Sequence, residues 1–229
     1  MLEKRKKISK KQMKEDRLVT SYYQAISFFQ EHQAKILIGA GIVAVIIVSV
    51  ILWNNQRSSN NLKAAELLSK VIPLYNAGSY KDAIEGQKVA NITGLKEIVE
   101  KYGSSEQGEV AKIYLANSYS LLGNDEAAYK MYNDYSGSIP EFKASALAGK
   151  ASYLETKKEY EKAAGLFKDA ARETKTNPSN PEYLMKAGID FLNIGNKDEA
   201  KKLFNYIKKE YKTSPVVNEL DRYLVQIES

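Results

Sequence analysis

The chain has 229 residues, 44% hydrophobic and 27% charged, enough for one globular domain of ordinary composition beside shorter specialised segments. It has no cysteine, which excludes disulfides, thiol nucleophiles, Cys-ligated zinc and a lipidated N-terminal Cys. Residues 1–35 carry nine Lys/Arg against four Asp/Glu, +5 of the formal +6, so the remainder is nearly neutral and no nucleic-acid partner is expected for it.

The basic residues cluster from Lys4 to Arg17. After them, Leu18, Tyr22, Ile26 and Phe29 recur at helical spacing and predict an amphipathic segment lying in a membrane interface. Ile36 to Trp53 follows: eighteen residues without a charge, twelve of them Ile, Leu or Val. As a helix this run is about 27 Å long, close to the ~30 Å hydrocarbon core of a bilayer. Its aliphatic side chains favour insertion by roughly 4–7 kcal/mol before the Gly and Ser residues are set against them. A signal peptide would have a shorter basic region and a small-residue cleavage site, whereas Leu52-Trp53-Asn54-Asn55 spans the end of the run here. The segment therefore reads as an uncleaved anchor. Only Arg57 and Lys63 are basic on its far flank, so the positive-inside rule puts the N-terminus in the cytoplasm and the C-terminal domain across the membrane. The Lys-rich tail suits phosphates of anionic lipid or of ribosomal RNA; the plainer reading is a topology signal. Ala40 and Ala44 form a small-xxx-small pair of the kind that packs helices in membranes.

From residue 54 onward the apolar positions follow a helical period, with no run of alternating strand residues. Internal repeats are present. Leu115-Ala116-x-x-Tyr119-x-x-x-Gly123 leads to Ala128 and Tyr132, while Ala187-Gly188-x-x-Phe191-x-x-x-Gly195 leads to Ala200 and Phe204. Between them Ala151, Leu154, Lys158, Ala163 and Phe167 keep the register, with Lys158 at the glycine position. Ala128, Ala163 and Ala200 are 35 and 37 residues apart. A degenerate earlier unit has Gly78 and Ala83 at the same separation, and its second helix is interrupted over Glu85–Gly94 by a segment that reads as an ordered edge loop or a partner contact.

These residues resemble the tetratricopeptide repeat, a helix–turn–helix unit of about 34 residues. The resemblance implies that Ala116, Ala151 and Gly188 sit at close helix–helix approaches. Gly78, Gly123 and Gly195 would then end first helices in the left-handed conformation, and Lys158 makes its turn either helix-compatible or mildly strained. Pro73 is expected to kink its helix, while Pro140, Pro178, Pro181 and Pro215 fall between units. After Pro215, Val217, Leu220, Leu224 and Ile227 form the stripe of a capping helix. The expected fold is all-α: a basic tail and pre-span segment (1–35), a single transmembrane helix (36–53), and a tetratricopeptide-repeat α-solenoid (54–229). Its units cover about 55–105, 109–140, 144–176 and 181–212, with a cap at 215–228.

No catalytic constellation, metal cluster or cofactor motif is legible, and an enzyme is not expected. His32, the one histidine, stands at the membrane edge with no acid partner, and Asn91-Ile92-Thr93 is a formal glycosylation sequon. Aligning the repeats places Ile113, Asn117 and Ser120, then Ala148, Ser152 and Glu155, then Met185, Ile189 and Asn193 along a first-helix groove. Repeats that clamp chaperone C-terminal carboxylates need Lys where Ile113, Ala148 and Met185 stand, so this groove suits an apolar or extended peptide; the plainer reading is packing against neighbouring helices.

The order of parts (aromatic pre-span segment, Gly-containing span, degenerate first unit, then the Leu-Ala-x-x-Tyr and Ala-Gly-x-x-Phe repeats) resembles bacterial single-pass inner-membrane proteins of the YfgM type. That resemblance implies a periplasmic domain serving as an ancillary part of the Sec translocon, with translocon subunits, exported chains or periplasmic chaperones as partners. The alternatives are a scaffold for envelope assembly or cell division, and a cytoplasm-facing membrane adaptor.

Overall fold

The computed structural model describes residues 10–228, with side chains from Val19 onward. Lipid contact by the Lys4–Arg17 cluster therefore falls on side chains outside the described residues. The chain forms two compact units, Met1–Gln56 and Arg57–Ser229, divided three residues beyond the apolar run.

Helix α1 (Lys10–Asn76) runs through the first unit and into the second. Every residue from 37 to 59 is exposed, and this is one helix long and apolar enough to cross a membrane. The pre-span segment is not a separate interfacial helix. Gln30-Glu31-His32-Gln33-Ala34-Lys35 contains neither Gly nor Pro, so nothing stops the helix between Phe29 and Ile36. Tyr22, Tyr23, Phe28 and Phe29 remain 49–66% exposed on it. Pro73 lies inside the last turn of α1, where it removes the N–H that would bond the Ser69 carbonyl.

In the second unit α2 (Tyr80–Glu85) leads into β1 (Gly86–Gln87) and β2 (Ile92–Thr93), then α3 (Leu95–Tyr102). The interruption expected as a loop is an antiparallel hairpin pairing Gly86 with Thr93 and Gln87 with Ile92. Two-residue strands are too short to leave an alternating pattern. Gly86 turns the chain with φ 82°, and a Cβ there would meet the Ile92 carbonyl. Gln87, four residues after Ala83 where later units carry a buried aromatic ring, instead donates from Nε2 to Asp82 Oδ2 at 2.8 Å. The second helix of this unit ends after six residues, where Gly86 leaves the helical conformation.

Three helix pairs follow: α4 (Glu106–Leu121) with α5 (Asp125–Asn133), α6 (Pro140–Thr156) with α7 (Tyr160–Glu173), and α8 (Asn180–Asn193) with α9 (Lys197–Glu210); α10 (Val217–Glu228) packs on α9. One turn recurs four times. Gly78, Gly123, Lys158 and Gly195 have φ of 76°, 74°, 60° and 77°. Each donates its N–H three residues back, to Tyr75, Ser120, Glu155 and Leu192, at 2.9 Å. The following residues, Ser79, Asn124, Glu159 and Asn196, donate five residues back at 2.8–3.0 Å. These are Schellman closures, and in each the second residue also caps the next helix. Asn124 and Asn196 accept with their side chains from the Ala127 and Glu199 amides, whereas Ser79 and Glu159 make no such bond.

Packing keeps step with the turns. Seven residues before them, Ala116 and Ala151 are fully buried and Gly188 is buried; five residues after, Ala83, Ala128, Ala163 and Ala200 are 0–3% exposed. Tyr132, Phe167 and Phe204 lie four residues further on, 0–6% exposed. Each apolar cluster joins a run of neighbouring elements. Leu68, Ile84, Leu95 and Leu115 tie α1 to α4; Ile113, Ala128, Tyr132 and Ala146 tie α4 to α6. Ala151, Phe167 and Ala187 tie α6 to α8, and Leu184, Phe204 and Leu220 tie α8 to α10. Half-buried Tyr119 and Phe191 pack at the junctions.

Lys158 holds a left-handed conformation that costs an L-residue roughly 1–2 kcal/mol, more than the ~0.5–1 kcal/mol of chain entropy a glycine adds. Lys158→Gly is expected to stabilise the chain by about 0.5–1 kcal/mol, read as a higher urea midpoint at constant slope for the full chain in mild detergent. Two Gly→Ala changes should have opposite signs by the same assay. A Cβ on Gly188 would run into the buried Phe204 ring, and the ~1–3 kcal/mol of overpacking outweighs the ~1 kcal/mol gain in helix propensity. Gly165 faces open space in α7, so Gly165→Ala should gain up to ~1 kcal/mol.

Candidate functional site

A cleft of about 190 Å³ opens where α4, α6 and α8 come side by side, lined by Ser120, Ser145, Ala148, Gly149, Ser152, Glu182, Tyr183 and Lys186, with Tyr132 and Phe167 below. Gly149 brings α6 down on the Tyr132 ring, leaving no room for a Cβ. Three residues aligned to the groove from the sequence, Ser120, Ala148 and Ser152, line this cleft. Asn117 and Glu155 lie beside it, bonded to Tyr132 and paired with Lys186, and the other four stand elsewhere. Ile113 is 1% exposed within the α4–α6 cluster, so it offers nothing to a ligand. Met185 and Ile189 pack against the cluster around Leu184 and Phe204. Asn193 is exposed at the end of α8. Along α8 the open wall lies about one residue round from the aligned positions, at Glu182, Tyr183 and Lys186, because Met185 and Ile189 are taken up by packing.

Asn117 is tied down. Tyr132 Oη donates to its Oδ1 at 2.6 Å. Burial pushes the Tyr75, Tyr132 and Tyr183 phenols up, Tyr132 most, with Tyr75 and Tyr183 opposing its ionisation. Phenols from three elements thus stay neutral beside the cleft, and with the serines they make it a surface of uncharged hydrogen-bonding groups. Sequence reasoning missed these tyrosines: Tyr132 carries a repeat-signature position, and a ring there reads as core filler without its hydroxyl.

One end of the cleft is charged. Glu155, one turn beyond Ser152 on α6, lies 4.0 Å from Lys186 Nζ, which stands 5.3 Å over the Phe167 ring. Next to Glu155 is Asp190 of α8, 0% exposed. Burial pushes the Glu155 carboxyl up despite Lys186. A second buried acid, Glu109, has a different role. Its carboxylate takes Lys112 at 2.7 Å and the Ser136 amide and hydroxyl at 2.9 and 2.8 Å, pinning the segment after α5 to α4.

Among the described residues no group of three or more His, Asp or Glu is placed to hold a metal ion. His32 Nδ1 lies 3.2 Å from the Phe28 carbonyl and its ring stacks on Phe28, within α1. Asn91 of the sequon is exposed in the hairpin turn at φ 53°, and Val89 beside it is fully exposed. Comparison with protein-family models, with curated proteins and with solved structures finds no match to this chain.

Tyr132→Phe removes the donor to a half-buried amide oxygen while keeping the ring. It should cost about 1 kcal/mol in urea unfolding, against about 3–5 kcal/mol for Tyr132→Ala.

Proposed function

We propose that this chain is a membrane-anchored protein–protein interaction scaffold, and that its cleft takes an extended polypeptide segment. The observation that carries the proposal is the cleft's lining. Between Glu182 and Lys186, Ser120, Ser145, Ser152 and Tyr183 supply uncharged donors and acceptors over about two helix turns, the chemistry that matches the peptide groups of an extended chain whatever its side chains. Sequence-tolerant recognition of this kind suits a protein that meets many partners.

The recurring turns, the 35- and 37-residue alanine spacing and the packing of consecutive pairs support reading the second unit as a tetratricopeptide-repeat solenoid, with α10 as its cap. The exposed apolar helix supports anchoring, and the charge asymmetry around it supports a cytoplasmic N-terminus with the repeat unit on the extracytoplasmic face of a bacterial inner membrane. In that setting the layout's resemblance to YfgM-type proteins makes exported or folding chains near the Sec translocon the preferred clients. Anionic lipid is the second partner, reached by the basic tail.

Photo-crosslinking residues at Ser145 and Glu182, compared with Asn218 on α10, test this in intact cells. Capture of exported chains, chaperones or translocon subunits from the two cleft positions and not from α10 is the expected outcome. Envelope-assembly or division proteins captured there would redirect the proposal, and equal capture from all three positions would overturn the cleft. A reporter fused after Ser229 should be active only outside the cytoplasm; activity inside would reverse the topology.

A further inference from the structure

Asp190 is completely buried, and neither of its carboxyl oxygens has a hydrogen-bond partner. An ionised carboxylate in such a place is costly unless a charge or donor compensates it. The groups acting on it are Glu155, from α6, and Lys186, one turn back on α8 itself. Lys186 does not compensate it fully, being drawn to Glu155 and the Phe167 ring. The neighbouring helices add nothing: Lys168 of α7 turns to Glu199 and the Phe191 ring, and Glu199 of α9 turns to Lys202. Two carboxyl groups therefore meet between α6 and α8 with one cation between them.

We propose that Glu155 and Asp190 form a proton-operated latch between α6 and α8. With Asp190 protonated the helices stay closed; when solvent takes that proton, two carboxylates repel and the charged end of the cleft widens. Like charges in one buried site cannot both ionise cheaply, so the pair titrates as a unit. Burial first, and the Glu155 charge second, push Asp190 from its ordinary 3.8 to about 7, with Lys186 opposing, and Glu155 shifts in the same direction. The folded chain therefore holds a proton that the unfolded chain releases near 3.8, so stability falls as pH rises from there to about 7 and stays low above it. The latch's effect on a bound segment rests on the peptide reading of the cleft; the latch itself does not.

The test needs no ligand. The full chain in mild detergent is melted at about pH 5.5 and about pH 8.5, as wild type, Asp190→Asn and Glu155→Gln. Because the chain has no cysteine, Thr156→Cys with Asn193→Cys places one nitroxide at the end of each helix for distance measurement at both pH values. The wild type should lose several degrees of Tm at the higher pH, and its inter-nitroxide distance should lengthen. Asp190→Asn should abolish both changes, and Glu155→Gln should at least halve the Tm loss. Wild-type pH dependence retained in Asp190→Asn, or a distance that does not change with pH, would overturn the latch. Should Asp190→Asn not fold, Glu155→Gln decides by the same readings. Cleft crosslinking that fails while these shifts hold would remove the peptide reading and leave the latch.

Discussion

A left-handed residue closing each first helix is the constraint on which the second unit depends. At φ near +75° the chain reverses within three residues and begins the next helix from the residue that closed the last one. The two helices of a pair then lie a fixed number of residues from a common point. That is why a small side chain seven positions before and an alanine five positions after meet across the pair, time after time. Were the turn longer or looser, those positions would have no fixed partners, and the close approach of α8 to the Phe204 ring would be lost. Glycine supplies the conformation without strain at three of the turns, while Lys158 adopts it at a cost its neighbours absorb.

Because each apolar cluster joins a run of neighbouring elements, stability accumulates along the chain as nearest-neighbour terms and not around a single centre. Alanines fill much of this core: Ala144, Ala151, Ala163, Ala164, Ala170 and Ala187 are all fully buried. Small side chains let helices approach closely but bury little apolar area each, so the large rings at Tyr132, Phe167 and Phe204 carry a disproportionate share. The same close approach brings α4, α6 and α8 together with serines, an alanine and a glycine on α4 and α6 facing Glu182, Tyr183 and Lys186 on α8. The cleft is thus a by-product of small-residue packing, and its polar character comes from hydroxyls that this packing leaves uncovered.

Charge is distributed with the same economy. The ion pairs along the helices, such as Lys70–Glu66 and Lys101–Glu97, are exposed and contribute little each. Among the described residues buried acids stand in two places with different solutions. Glu109 is satisfied by Lys112 and Ser136 and holds a loop in place, whereas Asp190 is left without a donor beside Glu155. The first reads as structure, the second as a position that responds to its surroundings.

The sequence by itself determined the all-α class, the apolar helix and the positions of the recurring turns. Each of these follows from local rules: charge exclusion over Ile36–Trp53, the 3.6-residue period, and the glycine or proline that ends an element. It could not show that α1 runs unbroken through the aromatic segment, since amphipathic spacing is the same for an interfacial helix and a continuous one. Two-residue strands likewise leave no alternation to detect. Only the tertiary structure decided which face of each first helix is open. A rotation of one residue, about 100° on a helix, moves Ile113, Met185 and Ile189 into packing and brings Tyr183 and Lys186 to the cleft. That rotation is set by the neighbouring helix against which each one packs, and a repeat alignment carries no information about it. Asp190 shows the same limit. Its spacing is unremarkable, and only the packing of α8 among its neighbours buries it beside Glu155.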